Sequence, residues 1–135
     1  MPFGYPNGGM ENPLITFMSP SIVRAGKEAE DVAAHEIVHS WFGNLLTCKN
    51  WTHTWLNEGL TMFGERRIDD RFFGHEFYET SAYIGLYDLR SELKNLEDEP
   101  ERTKVVCLTN RLSPEYGFTL IPYEKGFTLV TKLEV

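Results

Sequence analysis

His35-Glu36-Ile37-Val38-His39, with eighteen residues between His39 and the glutamate of Asn57-Glu58-Gly59, is the stretch that decides how this chain folds. Histidines four apart on a helix lie one turn apart on the same face. Each can offer an imidazole nitrogen to a single zinc ion, and the glutamate between them can act as general base. Glu58 then supplies a third, anionic ligand from a second helix, and the fourth position stays open to water, as in a catalytic rather than a structural site. Ile37, Val38, Trp41, Phe42 and Leu45 follow helical spacing and are expected to cover the face away from the two histidines. Trp55 to Ile68 reads as the second helix, with Leu56, Leu60, Phe63 and Arg67 along one side. The plain alternative is a pair of solvated helix histidines and an ordinary surface carboxylate.

Outward from this pair, Gly26 precedes a first turn carrying Glu28, Glu30 and Asp31, whose negative charge suits a helix N-terminus. The helix with both histidines is expected to run to about Leu46, followed by a loop over 47–54 in which Thr54 is a plausible N-cap. Gly74 to about Leu96 reads as a third, long helix with Phe77, Ala82, Ile84, Leu86, Leu89 and Leu93 among its core candidates. The charged stretch to Arg102 reads as a surface loop, and Val105 to Leu108 as short and extended or irregular. Ser113-Pro114 and Ile121-Pro122 punctuate another loop. Pro122 suits a first helical position, and Tyr123 to Leu133 begins a final helix. Upstream, residues 1–13 are loop material rich in Gly and Pro. Leu14 to Met18 reads as a strand ended by Ser19-Pro20. The expected class is α+β, mostly helical, with a short strand region at the N-terminus. A lone strand needs neighbours for its backbone groups, and the last helical pattern reaches Glu134-Val135 without a C-cap. Both features suggest the central piece of a larger catalytic domain.

With 135 residues, 41% hydrophobic and 13% aromatic, the chain is large and apolar enough for one globular unit rather than a disordered segment. A net charge of −7 with no stripe of Lys and Arg argues against nucleic acid and anionic membrane surfaces as partners. Two cysteines, Cys48 and Cys107, without a C-x-x-C pair suggest reduced thiols and a cytoplasmic setting. No local signature marks Cys48 as a nucleophile. Apolar runs fall far short of a membrane span, and Met1 to Pro6 lacks the basic and apolar regions of a signal peptide.

Five segments taken together carry a resemblance: Gly8-Gly9-Met10-Glu11-Asn12, the histidine motif with Glu58, Trp41-Phe42-Gly43-Asn44, Trp55-Leu56-Asn57-Glu58-Gly59 and Pro122-Tyr123-Glu124-Lys125-Gly126. They resemble the zinc aminopeptidases of the gluzincin group, nearest to the branch with leukotriene hydrolase and aminopeptidase B. The similarity covers essentially the whole chain. It implies a thermolysin-like catalytic core, normally preceded by a β-rich domain and followed by a helical one, both absent here and expected to be needed for full activity. It implies one zinc ion per chain and removal of single residues from peptides with a free N-terminus. By matched position it implies His35, His39 and Glu58 as zinc ligands and Glu36 as base. It further implies Glu11 as the holder of the α-amine, Gly8, Gly9 and Met10 as substrate-binding residues, and Tyr123 as the donor that stabilises the transition state. His53 and His75 match no part of this pattern and read as solvated or loop histidines.

Two departures bear on chemistry. Phe118 stands where the leukotriene-hydrolase branch often has a second tyrosine, and Glu115 where an acidic or amide residue is common. Without the second hydroxyl, peptidase chemistry is favoured over epoxide hydrolysis. Two other readings remain beside the enzyme. One is a zinc-binding but inactive fragment or paralogue serving as a binding or structural module. The other is a helical interaction module with a chance motif.

Overall fold

The computed structural model describes residues 5, 7–106 and 119–134. Two short antiparallel strands open it: β1 (Gly9–Met10) and β2 (Phe17–Met18), with Gly9 opposite Met18 and Met10 opposite Phe17. β1 falls inside the stretch expected to be loop. The strand expected over 14–18 keeps only its last two residues, because Leu14 takes φ 72° and so leaves extended geometry.

Ser19 does more than end a strand. Its side-chain oxygen accepts from the Ile22 N–H at 3.3 Å, and Pro20 fills the first position of α1 (Pro20–Ala25). A 3-10 turn over Gly26–Ala29 then feeds α2 (Glu30–Val38), which has Glu30 and Asp31 in its first turn.

α2 stops at Val38, well short of Leu46. Its end tightens into i to i−3 bonds, Ser40 N–H to the Ile37 carbonyl and Trp41 N–H to the Val38 carbonyl, and Gly43 reverses the chain at φ 122°. The expected apolar face therefore does not form. Val38 is buried and Phe42 half-buried, but Ile37, Trp41 and Leu45 are exposed.

A 3-10 turn over Trp51–His53 leads to α3 (Trp55–Phe73), which runs past the expected end at Ile68. Leu56, Leu60 and Phe63 are only half-buried and Arg67 is exposed. Its buried positions are Asn57, Gly59, Thr61, Glu65, Arg66 and Asp69. A central helix that turns polar groups inward is holding a site, since unpaired polar groups are costly inside a protein.

α4 (His75–Asn95) matches its expected span. Leu89 packs with Leu96 and Ile121, with Leu93 against them, whereas Phe77, Ile84 and Leu86 are exposed. A 3-10 turn over Pro100–Thr103 follows. The last stretch begins with one π-helical turn over Ile121–Lys125 before α5 (Gly126–Leu133). Thus α3 packs against α2, α4, α5 and the π turn.

α3 and α5 meet backbone to backbone at a pair of glycines. A Cβ on Gly59 would lie 2.7 Å from the Gly126 Cα. Among the described residues no helix is long and apolar enough to cross a membrane. Cys107, Leu108, Ser113, Pro114, Glu115 and Phe118 lie outside the described residues.

Candidate active site

His35 belongs to the last turn of α2, His39 follows it directly, and Glu58 sits in the first turn of α3. Three atoms converge there. The two histidine Nε2 atoms are 3.1 Å apart, and Glu58 Oε2 lies 3.4 Å from His35 Nε2 and 3.3 Å from His39 Nε2. Ligand atoms 2.0–2.1 Å from a tetrahedral cation are separated from one another by about 3.3–3.4 Å. The triangle therefore has the dimensions of one face of such a site.

The hydrogen bonds behind the triangle decide what it presents. His35 Nδ1 is 2.7 Å from Glu65 Oε2, and His39 Nδ1 is 2.7 Å from the Phe42 carbonyl. Each imidazole donates its Nδ1 hydrogen outward, which turns an Nε2 lone pair inward. Glu58 Oε2 is buried without a hydrogen-bond donor. Lone pairs on three sides fit a cation. Thr61, fully buried, braces His39: its hydroxyl donates to the Phe42 carbonyl at 3.2 Å and lies 3.1 Å from His39 Nδ1. Gly43 is needed at the same corner, where a Cβ would sit 3.0 Å from His39 Nδ1.

Protons compete with a cation for these lone pairs. Burial disfavours charge on His35, but the carboxylates of Glu58 and Glu65 beside it prevail and push the imidazole up to about 10. His39 is raised in the same way, against its burial, by Glu58. Burial opposes charge on Glu58 too, yet the two histidines hold its carboxyl down at about 2.

Glu36 lies on the cavity side of α2, with its carboxylate against the Cα of Gly9, where a Cβ would collide with it. Its Oε2 is buried and has no hydrogen-bond partner. Burial raises its pKa, and Glu11 and Glu58 add to the rise, while His35 and His39 pull it down. Glu11 follows β1, and its carbonyl accepts from Asn44 Nδ2 at 2.7 Å, which ties the strand to the turn after α2. The carboxylates of Glu11 and Glu36 and a ring nitrogen of His39 all lie within 4.8 Å of one another.

Tyr123 stands in the π turn with its ring 6.1 Å from that of His35, at 23° between planes. Burial and the charges of Glu58, Glu11 and Glu36 push its hydroxyl well above the ordinary tyrosine value, so it keeps its proton. The Gly59–Gly126 contact brings the π turn this close.

All nine residues singled out in the sequence line one cavity of about 490 Å³: Gly8, Gly9, Met10, Glu11, His35, Glu36, His39, Glu58 and Tyr123. Asn7, Trp51, Thr54 and Pro122 line it too. Sequence reasoning missed Thr61 and Glu65, which act on the histidines from one and two turns farther along α3. A carboxylate seven residues after Glu58 was the available signal for Glu65. His53 is outside the lining, and His75 pairs at the surface with Asp70 and Glu79.

The chain is similar to known proteins over nearly its whole length. Leucine aminopeptidase 2 from Emericella nidulans is 45% identical over 134 residues, which is 99% of this chain and 22% of that protein. Leucine aminopeptidase 2 from Aspergillus niger is 43% identical over the same length. The chain thus spans about a fifth of the length of these relatives. The structure of yeast LTA4 hydrolase in complex with bestatin superimposes with a TM-score of 0.91 at 41% identity, over 98% of this chain and 21% of that one. Residues 2–135 match the peptidase family M1 domain, and the chain belongs to that family.

Proposed function

We propose that this chain forms the catalytic core of a zinc aminopeptidase, with His35, His39 and Glu58 holding the metal. The observation that carries the reading is the convergence of two Nε2 lone pairs and one buried carboxylate oxygen at tetrahedral spacing. The leucine aminopeptidase relatives support peptides with a free N-terminus as substrates. Bound zinc supplies Lewis acidity toward the scissile carbonyl and makes water more acidic.

The chain's own residues do the rest. Glu36 takes a proton from the attacking water and passes it to the leaving amine. Its raised pKa brings it closer to the range in which a carboxyl both accepts and releases a proton. Glu11, beside Glu36, receives the α-ammonium group, and an N-acetylated or internal peptide lacks the positive charge to place there. Gly8, Gly9 and Met10 offer backbone along the cavity to the substrate's own backbone. Tyr123, protonated, donates to the oxyanion as it forms.

Glu36→Gln is the direct test. The variant should retain one zinc per chain and lose roughly 100- to 10,000-fold in kcat on an aminoacyl anilide. Parent-like turnover by the variant would remove Glu36 from the role of base. Zinc loading in a parent without turnover would instead favour a metal-binding module.

A further inference from the structure

Arg66 and Glu124 form a buried ion pair outside the cavity lined by His35, His39 and Glu58, and the hydrolytic scheme above gives them no part. Arg66 is 2% exposed and Glu124 7%. The guanidinium meets the carboxylate in a two-point fork: Nη1 donates to Oε2 at 2.9 Å and Nη2 to Oε1 at 2.8 Å. Nε also donates to Ser81 Oγ at 3.1 Å, Nη2 to the Ser81 carbonyl at 3.3 Å, and the guanidinium carbon lies 4.2 Å from the centre of the Phe127 ring. α4 closes over the pair at Gly85, where a Cβ would collide with Glu124 Oε2 and Arg66 Nη2.

Such a pair does little for net stability, since removing two charges from water costs about as much as their attraction returns. What a fork does provide is orientation, because two parallel bonds fix a plane where one bond leaves a swivel. Glu124 is the neighbour of Tyr123 in a single π turn, and π turns concentrate at functional sites. Successive side chains on a helical turn leave the axis in different directions whose angle the backbone fixes. Holding Glu124 toward Arg66 therefore fixes the rotation that aims Tyr123 at His35. α3 thus addresses the site through adjacent residues, Glu65 on His35 and Arg66 on the turn that carries Tyr123.

We infer that the Arg66–Glu124 fork is a positioning device for Tyr123, setting the angle at which its hydroxyl meets the reacting carbonyl. This rests on the proposed role of Tyr123 as oxyanion donor. A small misplacement of a reacting group costs up to about 100-fold in rate, whereas a fork of structural importance alone would change stability and leave kcat per active molecule as it was.

The test is a double-mutant cycle on the zinc-loaded full chain, with leucyl-p-nitroanilide as probe and zinc content, kcat and KM measured for each variant. Tyr123→Phe should lower kcat roughly 100- to 1,000-fold. Glu124→Gln, which keeps size and one acceptor, should lower kcat about 10- to 100-fold with zinc content and KM little changed. In the Tyr123→Phe background, Glu124→Gln should cost nothing further. Gly85→Ala keeps both charges but presses on the fork from α4. It should give the same loss with the same dependence on Tyr123, and it decides the matter if Glu124→Gln does not fold. Equal losses in both backgrounds, or no loss from either variant, would overturn the inference. An unchanged kcat in Tyr123→Phe itself would instead strike at the oxyanion assignment.

Discussion

At position 69 a carboxylate is 1% exposed, and neither oxygen has a hydrogen-bond partner. Burial pushes its pKa up to about 6, with Glu65 and Asp31 adding to the rise and Arg66 opposing it. An acid that is harder to ionise when folded weakens the fold as pH rises. The cost is absent below about pH 4, grows through the window to about pH 6, and is fully present above it. Asp69→Asn removes the titration. In urea denaturation its stability relative to the parent should climb between pH 4 and 6 by on the order of 3 kcal/mol and stay level above. A difference that does not change with pH would show that Asp69 ionises as freely in the folded state as in the unfolded one. Asp69 also shows what single residues conceal in a sequence. His35, Glu36 and His39 carry their geometry locally, because four residues make one helical turn. Glu65 gains its role only by meeting a histidine thirty positions earlier, and Asp69 its burden only from being buried, with other carboxylates packed around it.

The same division holds for elements. α3 and α4 were legible because each sustains a helical pattern over many turns. α2 was overextended because Trp41 and Leu45 keep the period after the backbone has left the helix, at a turn that Gly43 permits and the His39–Phe42 bond fixes. α1 was overlooked although Ser19-Pro20 is a helix start as well as a strand stop. The α3–α5 crossing was not legible at all, since nothing local pairs Gly59 with Gly126. Their contact leads to a prediction with a diagnostic sign. Gly→Ala inside a helix ordinarily stabilises by about 0.5–1 kcal/mol. At Gly59 the added methyl would lie 2.7 Å from the Gly126 Cα and 2.8 Å from its carbonyl carbon, and backbone atoms cannot swing aside. Gly59→Ala should therefore destabilise by about 1–3 kcal/mol, and it should lower kcat by moving the turn that carries Tyr123. A stabilised variant in chemical denaturation would mean that the two helices have room to part.

For the molecule as a whole, the triangle of His35, His39 and Glu58 joins α2 to α3, the helix that also packs against α4, α5 and the π turn. The proposed zinc is accordingly a staple as well as a reagent, and every tenfold rise in free metal above its Kd should add about 1.4 kcal/mol to stability. The pH dependence follows from the competing protons. Without metal, His35 is held up to about 10, and His39 is also raised. Imidazoles raised above their unfolded value stabilise the fold fully below about pH 6.5, and they lose that contribution as pH climbs toward 10. Zinc requires both imidazoles neutral, so its affinity moves the opposite way, by about tenfold per pH unit for each proton displaced. The gap between metal-loaded and chelator-treated protein should then widen steadily from pH 6 to pH 9. Thermal melts at fixed free zinc, with and without dipicolinate, measure that gap directly. A gap independent of pH would mean that no proton leaves when the metal enters, and that neither imidazole is held protonated in the metal-free fold.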